Sequence, residues 1–478
     1  MGLFSHRSAY SEKPMTSGWA TLLPSQFAGL GIDLSARVAG LVRVFGNGAA
    51  MAAVIPVGGG AVVLGRQVGA ADEAMDPHVS RRHARVELDG GRFWVTDLDS
   101  QNGTFVDGER AVRGSRREAQ RVIRVGESLF LPCFDVRPFE GDGVVVQDGF
   151  VRGPAMRRVL AEVARAGELG FSLCIHGESG TGKEGVARAF HRTGPRSGGP
   201  FVPVNCAAIP QGIAERLLFG VRRGAYSGAE ADAEGYVQAA DGGTLFLDEV
   251  ADLDLQVQAK LLRAIEMREV MALGAVRPRA VDLHVCSASN RDLRAQVTGG
   301  KLREDLYYRI ARPAVTLPPL RERPEEMPTL VERELRRVVP DLALHVSFVE
   351  ACLLRPWPGN VRELLIEARS AAQAALMQGT PMVESRHLDP DAGMPLTANG
   401  SVALAPERSP SAAGPLPRES RSRARPLDGG ERARIEEALR QEEGNVAAAA
   451  RVLGMHRTQL RRLIGRHGIG APDGGERE

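Results

Sequence analysis

The chain has 478 residues, 43% of them apolar and 25% charged, with a formal net charge of +2. This length is too great for one compact core and predicts about three domains of an ordinary soluble protein. No apolar run approaches membrane length, the opening MGLFSHRSAYSEK has no signal-peptide core, and Cys133, Cys174, Cys206, Cys286 and Cys352 lack metal-ligand spacing, so neither a membrane span nor export is expected and the thiols read as reduced core residues of a cytoplasmic protein.

Residues 1–35 carry no strong period and read as a loose tail, in which Ser11, Thr16 and Thr21 are candidate phosphorylation sites. From Ala36 to about residue 140 the pattern changes to short β-type runs, LVRVF, AAVIPV, AVVLG, ARVEL, RFWVTDL, RVIRVG and SLFLP, broken by Gly, Asp and Asn. Such spacing suits a small β-sandwich. Its predicted loops carry Gly65-Arg66, Ser80-Arg81-Arg82-His83 and the run SQNGTFVDG from Ser100 to Gly108. Through these residues the segment resembles a forkhead-associated (FHA) domain, which implies a reader of phosphothreonine and a link to a Ser/Thr kinase, the phosphothreonine belonging to a partner or to this chain. The resemblance implies Arg66 and Arg81 as charged donors to phosphate, Ser80 as a hydroxyl donor, and Asn102 as the amide holding the ligand backbone. His83 is expected to brace the loop, and Asp107 stands where the family often has a second Asn.

Met156, Val159, Leu160 and Val163 mark a helix ahead of an apolar run, FSLCIH, which leads into Gly177-Glu178-Ser179-Gly180-Thr181-Gly182-Lys183-Glu184. Between a strand and a helix, such a loop curls its N–H groups around phosphate oxygens while Lys183 reaches the outer phosphates, so nucleoside triphosphate binding is expected. Later strand-like runs at 201–204, 244–247 and 283–287 alternate with helical stretches. They predict a parallel sheet sandwiched by helices, with its chemistry at the carboxyl ends of the strands. There GGTLFLDE presents Asp248, expected in the shell of a Mg2+ ion, and Glu249, expected to orient and polarise attacking water.

From about Gly149 to Leu388 these blocks together resemble the central domain of sigma-54-dependent transcription activators, a branch of the AAA+ ATPases. An α/β domain over 148–316 and a helical lid over 317–388 are expected. The resemblance implies that Asn205, in VNCAAI, pairs with Glu249 and shifts with nucleotide state, and that Asn290, in SNRDL, senses the γ-phosphate of ATP. It also implies that Arg303 and Arg309, in LREDLYYRI, are fingers donated to a neighbouring subunit, and that Arg362, in WPGNVREL, contacts nucleotide from the lid. Glu184 stands where most phosphate loops have Ser or Thr. An arginine supplied in trans stabilises the transferring phosphoryl group only after assembly, so a ring is expected, which the family resemblance implies to be a hexamer or heptamer.

Within this region Leu218 to Ala229 reads LFGVRRGAYSGA. In the family a mobile loop here ends in GAFTGA and binds sigma-54. The corresponding tip is Gly224, Ala225, Tyr226, Ser227, Gly228 and Ala229, in which Tyr226 keeps an aromatic ring and Ser227 the hydroxyl. Val221-Arg222-Arg223 departs from the commoner His-Glu-basic run. A second insertion, 270–280, is expected to pack beside this loop.

Residues 389–430, rich in Pro, Ser, Ala, Gly and Arg, read as a flexible linker. Over 431–470, Ile435, Ala438 and Leu439 mark one helix, Gly444-Asn445 separates it from VAAAARVL, and Gly454 turns into a third helix, 456–466. This is helix-turn-helix spacing, which sends the last helix into the major groove. Between Gly444 and Pro472 lie five arginines, two histidines and no acid, the charge expected of a DNA reader. Through GNVAAAARVLGMHRTQLRRLIGRHGI the segment resembles a Fis-type domain. Arg457 and Gln459 are expected at base edges and Arg461 and Arg462 at phosphates, with Thr458 near the same face.

The expected architecture is therefore multidomain: a β-sandwich, a central α/β AAA+ ATPase with an α-helical lid, and an all-α helix-turn-helix. The expected function is ATP-driven activation of the sigma-54 RNA polymerase holoenzyme from an upstream site on double-stranded DNA, under phosphothreonine control. Two other readings stay open: a DNA-bound AAA+ regulator with a different client, and a phosphopeptide-binding adaptor on DNA that hydrolyses nothing.

Overall fold

The computed structural model describes residues 37–66, 76–227, 229–395, 429–442, 446–453 and 460. The chain divides into two compact units, 1–399 and 400–478. Among the described residues, no helix is long and apolar enough to cross a membrane.

The first unit opens with β1 (Gly40–Gly46), β2 (Ala49–Pro56), β3 (Ala61–Leu64), β4 (Ala84–Asp89), β5 (Arg92–Asp97), β6 (Thr104–Val106), β7 (Glu109–Arg110), β8 (Arg116–Ala119), β9 (Ile123–Val125) and β10 (Ser128–Cys133). They stack as two antiparallel sheets, β2-β1-β10-β9-β6-β7 against β3-β4-β5-β8. Leu41, Val86, Phe93, Val95 and Phe130 fill the space between them. Strand residues alternate between faces, so a free-standing sandwich would show water the other half of β1 and β10. Here that half is Val42, Val44, Leu129 and Leu131, all buried in a second core described below.

A hairpin of β11 (Val145–Gln147) and β12 (Phe150–Arg152) leads into α1 (Pro154–Glu168), which starts on a proline and buries Met156, Val163 and Ala166. The elements that follow are β13 (Leu173–His176), α2 (Lys183–Thr193), β14 (Phe201–Asn205), α3 (Ala214–Phe219), α4 (Tyr236–Ala239), β15 (Thr244–Asp248), α5 (Leu255–Met267), β16 (Glu269–Val270), β17 (Arg279–Ala280), β18 (His284–Ser289), α6 (Leu293–Thr298), α7 (Glu304–Ile310) and β19 (Ala314–Thr316). Five of the strands form a parallel sheet in the order β14-β15-β18-β13-β19. Helices cover both faces, so the strands are near-continuous apolar runs such as TLFL in β15. The register pairs Asn205 with Asp248, Asp248 with Ala288, and His176 with both Ser289 and Thr316. One edge of the sheet therefore collects the carboxyl ends of all five strands.

The lid comprises α8 (Met327–Val338), β20 (Ala343–Leu344), α9 (Val346–Leu353), α10 (Asn360–Met377) and β21 (Met382–Val383), the two short strands pairing in parallel. Its core of Val331, Leu335, Phe348, Val349, Trp357 and Leu364 is continuous with Val42, Val44, Leu129 and Leu131 of the sandwich. Residues 389–395 still hold to it. Arg355 donates to the carbonyls of Asp389 and Ala392, and the Trp357 N–H donates to the carbonyl of Gly393.

In the second unit, α11 (Gly429–Gln441) and α12 (Val446–Val452) pack Ile435, Ala438 and Leu439 against Ala449, Ala450 and Leu460. Arg457, Thr458, Gln459, Arg461 and Arg462 lie outside the described residues, as do Gly228, the tail 1–36 and most of the linker.

Candidate functional site

The loop Gly177–Gly182 joins β13 to α2 at the collecting edge of the sheet. Gly180 and Gly182 take left-handed conformations, φ 77° and 103°, which side chains resist. Gly185 is required for a different reason, since a Cβ there would lie 1.7 Å from the Phe150 ring packed on the first turn of α2. Lys183, almost fully buried, donates to the carbonyl of Gly177 at 3.0 Å and lies 3.6 Å from Glu249. Its ammonium thus stands between the loop and the acid pair. Glu184 faces away and is bound by Arg188 at 2.7 Å on the surface of α2.

Asp248 ends β15, and burial raises its carboxyl above the ordinary range against the pull of Lys183 and Arg362. Its Oδ1 is buried without a hydrogen bond, an arrangement that costs free energy unless a cation or donor arrives. That fits Mg2+, which takes one or two carboxylates from protein and much of its shell from phosphate and water. Glu249, at φ 56°, turns its carboxylate onto the Asn290 N–H at 3.1 Å and the Ser289 hydroxyl at 3.4 Å. Asn205 is not its partner in this state. The Asn205 side chain accepts the Ala207 N–H at 3.1 Å, so the expected Asn205–Glu249 pairing is not formed.

The lid grips the same loop. The Arg362 N–H donates to the carbonyl of Gly180 at 3.3 Å, and the Arg362 guanidinium reaches the Ser179 hydroxyl at 3.2 Å. Three further residues, absent from the sequence reading, make stronger claims on it. Asn360 donates to the carbonyl of Ser179 at 3.0 Å and to Glu178 at 3.1 Å, while its Oδ1 accepts the Leu320 N–H at 2.8 Å. Arg321 holds Glu178 with two bonds of 2.7 and 2.9 Å, lowering that carboxyl below its usual range. Buried Arg323 donates to the carbonyl of Thr181 at 2.9 Å and pairs with Glu326 at 2.7 Å. These donors hold the loop through three successive carbonyls, those of Ser179, Gly180 and Thr181. Asn360 was discoverable, since it lies inside WPGNVREL. Arg321 and Arg323 were not, because LRERPEE reads as a solvated charge run.

Arg303 and Arg309 bracket α7. Arg303 is held by Asp305 through two bonds of 3.0 and 2.7 Å, and Arg309 is exposed with no recorded partner among the described residues. The loop tip is folded down: Gly224 N–H bonds to the Ala229 carbonyl, Ala225 N–H to the Arg222 carbonyl, and Ala229 N–H to the Tyr226 carbonyl. Arg216 donates to the Tyr226 hydroxyl at 3.1 Å, and Arg222 pairs with Asp232. The insertion at 270–280 lies against this loop, with the Arg222 N–H donating to the carbonyl of Leu273.

At the far end of the sandwich, Arg66, Ser80, Arg81 and Asn102 come from neighbouring loops. Backbone N–H of Arg66 bonds to the Ser80 carbonyl, Ser80 Oγ accepts the Gln101 N–H at 3.1 Å, and Asn102 donates to the His78 carbonyl at 2.8 Å. The Arg66 and Arg81 side chains are exposed. Beneath them His83 is fully buried, with Nδ1 accepting the Ser80 N–H at 3.1 Å and Nε2 lying 3.1 Å from the Gly103 carbonyl. A carbonyl only accepts, so Nε2 carries the proton, and burial lowers the imidazole pKa and keeps it neutral. Asp97 accepts both Ser100 and Thr104 hydroxyls at 2.6 Å, and these bonds outweigh burial to keep its carboxyl low.

Three family models match the chain in order: FHA domain over 62–126, Sigma-54 interaction domain over 150–316, and Bacterial regulatory protein, Fis family, over 430–466. The chain is 37% identical over 409 residues to the nitric oxide reductase transcription regulator NorR1 of Cupriavidus necator, covering 80% of this chain and 77% of that one. It is 34% identical over 380 residues to the DNA-binding transcriptional regulator NtrC of a Bradyrhizobium species, covering 76% of each. To the response regulator protein PilR of Pseudomonas aeruginosa it is 46% identical over 216 residues, 44% of this chain and 48% of that one. With a phosphate loop, an acid pair at the neighbouring strand end, and these three domains in this order, the chain belongs to the family of sigma-54-dependent transcriptional regulators, built on an AAA+ P-loop domain.

Proposed function

We propose that this protein is an ATPase that assembles into a ring, binds upstream double-stranded DNA through its Fis-type domain, and spends ATP on remodelling the sigma-54 RNA polymerase holoenzyme into an open complex. The observation that carries the reading is the conjunction of Lys183, Asp248 and Glu249 around one phosphate loop with an arginine pair, Arg303 and Arg309, displayed on the surface. In the working site the loop N–H groups and Lys183 hold the phosphates, and Arg362 closes over them from the lid. Asp248 would hold Mg2+, which would supply charge neutralisation at the phosphates. Glu249 orients and polarises the attacking water once a nucleotide draws it off the Asn290 N–H, and Asn205 would pair with its carboxylate in another nucleotide state. Arg303 and Arg309 complete the site of a neighbouring copy, so hydrolysis requires assembly.

The six-residue tip at Gly224–Ala229 carries the stroke to sigma-54, with Tyr226, 43% exposed, as the contacting ring. At the sandwich, Arg66, Arg81, Ser80 and Asn102 receive a phosphothreonine of a partner or of this chain. The test is ATP turnover per subunit across a hundredfold dilution. We expect it to rise with concentration as the ring forms and to vanish in Glu249→Gln. Turnover equal at every dilution, or none at high concentration, would refute the shared-site reading.

A further inference from the structure

The sandwich is not tethered beside the ATPase; it completes the lid's core. Val42, Val44, Leu129 and Leu131 lie in one apolar cluster with Phe348, Val349, Leu353 and Trp357. The seam also has a polar spine. Arg124 of β9 lies 2.7 Å from Glu350 of α9, and its guanidinium sits 3.7 Å over the Phe105 ring of β6. Glu350 is mostly buried, and its other oxygen makes no hydrogen bond, so Arg124 is what offsets its charge. At the end of the same strand-turn, Gly108 packs against Leu354, and Arg121 donates to the Leu354 carbonyl.

These contacts place two loops on one short piece of rigid structure. Asn102 precedes β6 by two residues, the Gly103 carbonyl is fixed by His83, Thr104 by Asp97, and Phe105 lies under Arg124. On the lid side, α9 carries Glu350, ends at Leu353, and gives way to a turn that puts Trp357 and Asn360 in left-handed conformations, φ 50° and 53°. That turn delivers Asn360 and Arg362 to Ser179 and Gly180 of the phosphate loop. Six residues, 354–359, join the end of α9 to Asn360.

We propose that the sandwich and the lid move as a single body, and that the Phe105–Arg124–Glu350 stack couples occupancy of the phosphothreonine loops to the grip of Asn360 and Arg362 on the phosphate loop, and so to nucleotide affinity. This rests on the phosphothreonine reading above. A peptide that binds across Arg66, Ser80, Arg81 and Asn102 then changes nucleotide affinity, and nucleotide changes peptide affinity by the same factor, as linkage demands. Arg124 and Glu350 are positioning residues that touch neither ligand.

The test uses the full chain, an array of phosphothreonine peptides to find one that binds, and a fluorescent ATP analogue. With the peptide saturating, the analogue's dissociation constant should change by at least about fivefold, the low end of typical couplings. Amide exchange over 346–364 should slow on peptide addition alone. Arg124→Ala should still bind each ligand while the coupling falls below twofold, and Arg92→Ala, which breaks a surface pair with Glu118 on the other sheet, should leave it intact. Should Arg124→Ala not fold, the wild-type exchange and affinity measurements decide alone. Peptide binding with unchanged nucleotide affinity and unchanged exchange overturns the coupling and leaves the phosphothreonine reading standing. Full coupling in a folded Arg124→Ala overturns the path. If no phosphothreonine peptide binds, the recognition reading fails and the coupling with it.

Discussion

Replacing Asn360 by alanine tests whether the lid shapes the phosphate loop. Asn360 is fully buried in a left-handed conformation, and its side chain satisfies the Leu320 N–H while donating to Ser179 and Glu178. Alanine strands the buried Leu320 N–H, at about 1–3 kcal/mol, and leaves the carbonyl of exposed Ser179 to water. It also puts a Cβ without a compensating side-chain amide at φ 53°, at about 1 kcal/mol. Glu178 keeps Arg321, so little is lost there. The sum is about 2–4 kcal/mol, read from urea unfolding of the full chain. Asn360→Gly should recover about 1 kcal/mol of it, because only the backbone strain is relieved. Fluorescent-nucleotide titration should show both variants weakened at least about tenfold, as expected when preorganised phosphate contacts relax. If the alanine variant unfolded within about 0.5 kcal/mol of wild type and bound nucleotide equally well, the lid would not be shaping the loop.

Three further outcomes follow from particular contacts. Arg303→Ala should lower turnover by about a thousandfold or more without weakening nucleotide binding, whereas Asp305→Asn, which only frees Arg303, should stay within about fivefold of wild type in the same assay. Tyr226→Phe removes the bond to Arg216 that holds the tip down, so the loop should become more protease-sensitive without nucleotide while turnover persists; an unchanged cleavage rate would show that the hydroxyl is not a latch. Burial lowers the His83 pKa, so the unfolded chain takes up a proton that the folded sandwich refuses. Its melting temperature should therefore hold near neutral pH and decline as pH falls through about 6.5, with a smaller decline in His83→Gln; equal slopes would place the loss at other groups.

Much of the site was legible because its chemistry is local in sequence. GESGTGKE carries its own loop geometry, and the strand-like runs ahead of Asn205 and Asp248 predict parallel strands with both residues at their carboxyl ends, where the register sets them side by side. What escaped was carried by side chains distant in sequence. Arg321 and Arg323 lie about 140 residues from the loop they hold, and nothing in LRERPEE separates a buried clamp from a solvated surface. The seam between sandwich and lid left a trace that went unread. β1 and SLFLP of β10 lack the polar alternation of a sheet with one wet face, and Val42, Val44, Leu129 and Leu131 are the residues that gave it away. The Asn205–Glu249 pair could not be settled by spacing, since both side chains have nearer backbone partners in this state.

The most direct measurement is open-complex formation by sigma-54 holoenzyme on a supercoiled promoter with an upstream binding site, followed with ATP, with a non-hydrolysable analogue, and with Glu249→Gln. Melted promoter should appear only when wild-type protein and hydrolysable ATP are present together. Promoter opening by Glu249→Gln at the wild-type level, or none by wild type while it turns over ATP, would contradict the account.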